Sequence, residues 1–140
     1  MAHVELLCDA GPLVAFFNRT DQYHVWARER FEQIFHPLRT CEAVLSEALF
    51  LLQSDGLSAG PLFEAISRGK LRVSFAARDH WPNLQRLIKR YENLPMSLAD
   101  ACLVRMSELE PGLRVFTTDR DFQIYRRNER LVIPLLSPFS

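Results

Sequence analysis

Four acidic residues stand where a solvated surface charge is a poor explanation. Asp9 directly follows the apolar run Val4 to Cys8, and Asp119 directly follows Leu113 to Thr117. Glu47 lies within Val44-Leu45-Ser46-Glu47-Ala48-Leu49-Phe50. At ~100° per residue its direction falls between those of Leu51 and Phe50, at the border of the apolar arc. Asp100 lies within Leu98-Ala99-Asp100-Ala101-Cys102-Leu103-Val104, with Leu103 and Val104 one turn along its own face. A carboxylate in such surroundings must be hydrogen-bonded, protonated, paired or bound to a metal, because an isolated buried charge costs many kcal/mol. Acids gathered without matching cations repel one another, and a divalent ion offsets that repulsion directly.

Each acid also has a local explanation. Asp100 completes a Ser97-x-x-Asp100 capping box, Asp9 suits a turn, and Asp119 and Asp121 both suit turns. A salt bridge to an arginine is the local alternative for Glu47. The functional case rests on the set of four and on where the topology puts them. Other chemistries find less support. His3, His24, His36 and His80 are scattered without ligand spacing, and no glycine-rich phosphate loop is present. Cys8, Cys41 and Cys102 are odd in number, far apart and set among apolar residues, which is the pattern of reduced core thiols in a reducing cytoplasm. Hard oxygen donors with no His or Cys set favour Mg²⁺ or Mn²⁺ over zinc. One ion or two fit this donor set, a pair lying ~4 Å apart.

Elements must then position these acids. Val4 to Cys8 reads as a buried strand ended by Asp9-Ala10-Gly11-Pro12, with Pro12 in the first turn of a helix through Phe17. Asp21 is placed to cap a longer helix whose inner face carries Val25 or Trp26, Phe31, Ile34 and Phe35, stopped by His36-Pro37. Leu38 to Cys41 reads as a brief strand, Glu42 to Gln53 as an apolar helix, and Ser58 to Arg68 as a helix closed by Gly69. Leu71, Val73 and Phe75 alternate as in a half-covered strand, and Asp79 to Asn93 reads as an amphipathic helix. Ser97 caps a helix to about Glu110 that is apolar on nearly all sides. Leu113 to Thr117 is a strand, Phe122 to Arg126 a short helix, and Leu131 to Ile133 the closing strand. Strands alternating with helices predict an α/β fold, a parallel sheet with helices on both faces. Ligands bind outside the carboxyl ends of such strands, so Asp9 and Asp119 are expected at one edge, where chemistry belongs.

The chain has 140 residues, 48% hydrophobic and 24% charged, which suits a single domain over residues 1–140 with a core of its own. No apolar stretch approaches the ~20 residues of a membrane helix. Met1 to Leu7 contains Glu5 and lacks a basic leader, so a secretory signal is not expected and a cytoplasmic location is. The formal net charge is +0, so bulk charge neither supports nor excludes a nucleic-acid partner. A negative substrate would need basic side chains at the rim of an acidic site. Arg120, Arg126, Arg127 and Arg130, just after Asp119, are the candidates, with Arg19 after the first helix. A solvated helix face explains any one of them equally well. Tyr125 and Tyr23 are candidate platforms for stacked bases.

At these acids the sequence resembles the PIN-domain family, and within it the toxins of VapBC-type toxin–antitoxin pairs. The matching segments are Leu7-Cys8-Asp9-Ala10-Gly11-Pro12-Leu13-Val14-Ala15, the acid in Glu42-Ala43-Val44-Leu45-Ser46-Glu47, Met96-Ser97-Leu98-Ala99-Asp100-Ala101, and Phe116-Thr117-Thr118-Asp119-Arg120-Asp121-Phe122. Each is short, but the ordered set spans essentially the whole chain. The resemblance implies a Rossmann-like sheet of four or five parallel strands, Mg²⁺ or Mn²⁺, and phosphodiester hydrolysis in RNA. It implies an antitoxin covering the acidic groove, and commonly a homodimer. It assigns Asp9, Glu47, Asp100 and Asp119 to the acidic positions, Asp121 to an auxiliary one, and Thr118 to a hydroxyl near the metal. The sequence departs at Ala10, where many members carry Ser or Thr, so a hydrogen bond to Asp9 from that position is expected to be missing. The rival readings are a PIN-like module that holds RNA or protein without cutting, or a different acidic-site α/β enzyme. Gly11 stands where a haloacid-dehalogenase-type phosphotransferase needs a second Asp.

Overall fold

The order of the strands decides where the acids can meet. In the computed structural model, which describes residues 5–139, five strands form one parallel sheet. They are β1 (Leu6–Cys8), β2 (Leu38–Thr40), β3 (Leu71–Val73), β4 (Arg114–Phe116) and β7 (Leu135–Leu136), in the order β3-β2-β1-β4-β7. The chain steps outward from β1 to β2 and β3, then returns to lay β4 against the other side of β1. The sheet order therefore reverses between β1 and β4, and the crevice outside their carboxyl ends is where open α/β sheets bind ligands. The register pairs Cys8 with Phe116, so Asp9 and Thr117 emerge side by side.

Six helices flank this sheet: α1 (Ala10–Phe17), α2 (His24–Glu32), α3 (Glu42–Ser54), α4 (Gly60–Ser67), α5 (Trp81–Arg90) and α6 (Leu98–Leu109). The central strands β1 and β4 are buried by their neighbours: Leu7, Cys8, Val115 and Phe116 have no exposed surface. Around them pack Val44, Ala48 and Leu52 of α3 and Ala101, Leu103 and Val104 of α6. The larger of these, the Val and Leu side chains, contribute roughly 1.5–3 kcal/mol each when removed from water. Helix α6 is buried over most of its length, in keeping with its apolar sequence on nearly every side.

Several sequence expectations shift. Val4, the expected start of the first strand, lies outside the described residues, as does the leader segment through Val4. Asp21 does not cap α2; its Oδ1 accepts the Tyr23 N–H at 2.8 Å in a turn that precedes the helix. Trp26 and Phe31 do face inward, both against Phe116, but Val25 and Phe35 are 61% and 85% exposed. The short helix expected over Phe122 to Arg126 is a 3₁₀ turn over Arg120–Gln123. Leu131 to Ile133 does not close the sheet. Strand β6 (Leu131–Val132) instead pairs antiparallel with β5 (Arg126–Arg127) as a separate hairpin, and β7 closes the sheet beyond Pro134. The hairpin turn carries Asn128 and Glu129 at φ 50° and 69°, a left-handed pair of the kind glycine usually marks.

Candidate active site

Asp9 is the residue at which β1 becomes α1. Its N–H donates to Phe116 O at 3.0 Å, extending the β1–β4 ladder, while its Oδ1 caps α1 by accepting the Ala10 N–H at 2.8 Å. The residue just beyond β4 completes its surroundings: the Thr117 hydroxyl donates to Asp9 Oδ2 at 2.7 Å. The same Thr117 oxygen accepts the Asp119 N–H at 2.9 Å. One buried hydroxyl thus ties the two acids that follow adjacent strands.

Asp100 enters from the first turn of α6. Its N–H donates to Ser97 Oγ at 3.0 Å and its Oδ2 accepts the Ser97 N–H at 3.2 Å, so the capping box read in the sequence forms in full. The Tyr125 hydroxyl donates to that same Oδ2 at 3.2 Å. Asp119 caps the 3₁₀ turn that follows it, its Oδ1 accepting the Asp121 N–H at 2.9 Å. One carboxylate oxygen from each of Asp9, Asp100 and Asp119 lies within 4.8 Å of the other two.

Glu47 stands at the margin of this group. It is half-buried on α3, and its oxygens are not among the three that converge. Its field nevertheless reaches them: burial, then Asp100 and Asp119, push its carboxyl above the ordinary range. Asp9 responds most strongly. Burial above all, helped by Asp100 and Glu47 and opposed by the hydrogen bonds from Thr117 and Ala10, raises its pKa to about 7. Asp100 is raised by burial and by Asp119, against its bonds to Ser97 and Tyr125. Asp121 is raised by partial burial and by Asp119, but its carboxylate stays outside the converging set.

No Lys or Arg of the described residues forms an ion pair with any of these acids. Three carboxylates with unspent lone pairs, mutually repelling and without a cationic side chain, are a suitable donor set for a hard divalent cation. A carboxylate offers about four acceptor sites. The hydrogen bonds above take two on Asp9, two on Asp100 and one on Asp119.

The hydroxyl bonded to Asp9 and to the Asp119 backbone is that of Thr117, a residue with no site role expected from the sequence. Thr118 packs over α1, where a Cβ added to Gly11 would overlap its Oγ1. The Thr117 bond also gives Asp9 a hydroxyl partner despite Ala10. Strand pairing placed Thr117 there, and a strand-end threonine before Thr-Asp was the only sequence signal. Tyr125 is fully buried and serves Asp100, so it is no platform for bases; Tyr23 is half-buried.

The basic candidates separate. Arg126 spends one nitrogen on the carbonyls of Gln123, Ile124 and Tyr125. Arg127 donates to Ser107 Oγ and Pro111 O, beside the end of α6 opposite Asp100. Arg19, Arg120 and Arg130 are exposed.

The PIN domain family profile matches residues 6–128, which takes in all four acids. Comparison with curated proteins finds no match. Among solved structures, the fold is similar to the crystal structure of Mycobacterium tuberculosis VapC20, described as a sarcin-ricin loop cleaving toxin. The TM-score is 0.75 at 20% identity, covering 86% of this chain and 94% of that one. A sheet that reverses order at β1 and β4, three aspartates converging at that reversal, and a profile match over most of the length agree on one conclusion: the chain belongs to the PIN domain family.

Proposed function

We propose that this chain acts, as one PIN domain, as a Mg²⁺- or Mn²⁺-dependent endoribonuclease that hydrolyses RNA phosphodiester bonds, and that it is the toxin of a type II toxin–antitoxin pair. The observation that carries the reading is the convergence of Asp9, Asp100 and Asp119 at the β1–β4 crevice. Family membership supports it, and so does the fold shared with VapC20, itself described as a sarcin-ricin loop cleaving toxin. Among the described residues no helix is long and apolar enough to cross a membrane. A cytoplasmic setting, a cognate antitoxin lying over the acidic groove and a homodimer complete the proposal.

Asp9, Asp100 and Asp119 would hold the cation, with Glu47 completing the acidic wall and Asp121 auxiliary to it. Held there, such a cation supplies charge for a bound phosphodiester and a water of lowered pKa to attack it. The protein's own part is positional. Thr117 fixes Asp9 relative to the Asp119 backbone, and Tyr125 with Ser97 fixes the Asp100 carboxylate. Each carboxylate is thus oriented before substrate arrives. Products carrying 5′ phosphates and 3′ hydroxyls are expected, with no covalent enzyme intermediate.

The test is cleavage of total RNA by the purified chain with Mg²⁺, with Mn²⁺ and with EDTA, beside Asp100→Asn. Cleavage that needs the ion and disappears in Asp100→Asn is expected. Wild-type cleavage rates in that variant would place the chemistry elsewhere. A non-cutting scaffold would in addition show no rise in melting temperature with either ion, whereas a bound ion at 100 times its Kd stabilises by about 2.7 kcal/mol.

A further inference from the structure

Among the arginines that follow Asp119, one holds its charge differently. The guanidinium carbon of Arg120 lies over the Phe139 ring, 4.0 Å from its centroid. Tyr23 meets that ring edge-on, with centroids 5.9 Å apart and planes at 83°. Phe139 leaves β7 at the carboxyl edge of the sheet, three residues beyond Leu136, whose carbonyl accepts the Thr117 N–H at 3.1 Å. The stack therefore belongs to the edge that carries the acids, and Arg120 directly follows Asp119.

A guanidinium whose central carbon sits over a ring meets the ring by cation–π attraction and consumes none of its five N–H donors in doing so. No carboxylate or carbonyl among the described residues takes those donors, in contrast to Arg126 and Arg127. Those donors suit the paired oxygens of a phosphate, and the Phe139 face beneath them, covered by the cation, is not open to a stacked base. A cation is also needed here, because acids that await a metal repel the backbone of any nucleic acid approaching them.

We propose that Arg120 grips an RNA phosphate next to the one cleaved, with Phe139, braced by Tyr23, as the positioning residue that aims it. This deepens the ribonuclease reading and rests on it. Arg120 makes the contact; Phe139 acts through Arg120.

The test is cleavage of a labelled single-stranded RNA in Mn²⁺ over a salt series, with Arg120→Ala, Arg120→Lys, Phe139→Leu and the Phe139→Leu/Arg120→Ala pair. Arg120→Ala is expected to raise KM about tenfold with a smaller change in kcat. It should also lower the slope of log(kcat/KM) against log salt by about 0.7, the loss of one phosphate contact on a single strand. Arg120→Lys should keep the slope and recover only part of the affinity. Phe139→Leu should raise KM about threefold when residue 120 is Arg and leave it unchanged when residue 120 is Ala. A stacking contact that merely fastened Phe139 would lower the melting temperature without moving the salt slope, and would overturn the proposal. An unchanged KM and slope in Arg120→Ala, beside an active wild type, overturns it alone. A wild type that cuts no RNA in Mn²⁺ overturns the ribonuclease reading and this inference together.

Discussion

Asp9→Asn separates the cost of building the acidic site from its use. Burial and the neighbouring acids raise the Asp9 pKa from 3.8 to about 7 in the metal-free fold. In the unfolded chain the group titrates near the ordinary carboxylate value of about 3.9. Below that value both states are protonated and Asp9 does not affect stability. As pH rises toward 7 the unfolded chain releases the proton while the folded one keeps it, so stability falls; above 7 both have released it and the loss is complete. Linkage puts the full loss at about 4 kcal/mol, of which roughly 2.5 kcal/mol develops between pH 5 and pH 8. An asparagine has no charge to bury. It keeps an acceptor for the Ala10 N–H but disturbs the Thr117 bond, at about 1 kcal/mol regardless of pH.

Urea or thermal unfolding in EDTA at both pH values is the assay. Relative to wild type, Asp9→Asn should gain only about 0.5 kcal/mol at pH 5 but about 3 kcal/mol at pH 8, equivalent to several degrees in melting temperature for a chain of this length. With Mn²⁺ present the advantage should disappear, because the ion stabilises only the wild-type site. A variant whose stability difference from wild type is the same at both pH values would refute the idea that Asp9 carries the electrostatic strain of the site.

Thr117→Val removes the hydroxyl shared by Asp9 Oδ2 and the Asp119 N–H and should cost about 1–3 kcal/mol. That hydrogen bond holds the Asp9 pKa down, so the acid limb of the activity profile should move to higher pH in the valine variant and return in Thr117→Ser. Gly11→Ala should destabilise by about 1–3 kcal/mol because its Cβ meets Thr118 Oγ1. In a Thr118→Ala background the same change should become neutral or stabilising by up to about 1 kcal/mol, since alanine then only improves helix α1; additive effects in the double-mutant cycle would contradict the contact.

What the sequence revealed follows from how local each signal is. The all-round apolar surface of α6 and the Ser97–Asp100 box are readable within about a dozen residues, and both form. The apolar runs before Asp9 and Asp119 likewise identify β1 and β4. Thr117 was overlooked because its importance comes from the Cys8–Phe116 register, a pairing of residues far apart in the chain. Leu131 to Ile133 misled for a related reason. Nothing local distinguishes a hairpin strand with Val132 66% exposed from a buried one when the turn, Asn128-Glu129, lacks the usual glycine. Val25 and Phe35 satisfied the helical period, yet no element covers them well. The rim arginines were beyond reach because side-chain commitments such as Arg127 to Pro111 depend on the finished fold.

The local roles of the acids are compatible with the proposed metal-holding role. Asp9 caps α1, Asp100 completes a capping box and Asp119 caps a 3₁₀ turn, each as a structural role alone would predict. Those bonds tie the carboxylates to three backbone N–H groups at the starts of helical segments, where the peptide dipoles favour negative charge. Capping therefore offsets part of the repulsion that gathering three acids creates, and it fixes each side chain by its own chain neighbours. It takes only part of each carboxylate's acceptor capacity, so the remainder can turn toward the shared centre. Glu47 lacks such a role: it sits in the middle of α3, has no cap to make, and stands outside the converging oxygens. The acids that also serve as caps are the ones held together, which is the order expected if local hydrogen bonding supplies the rigidity that the site needs before any cation binds.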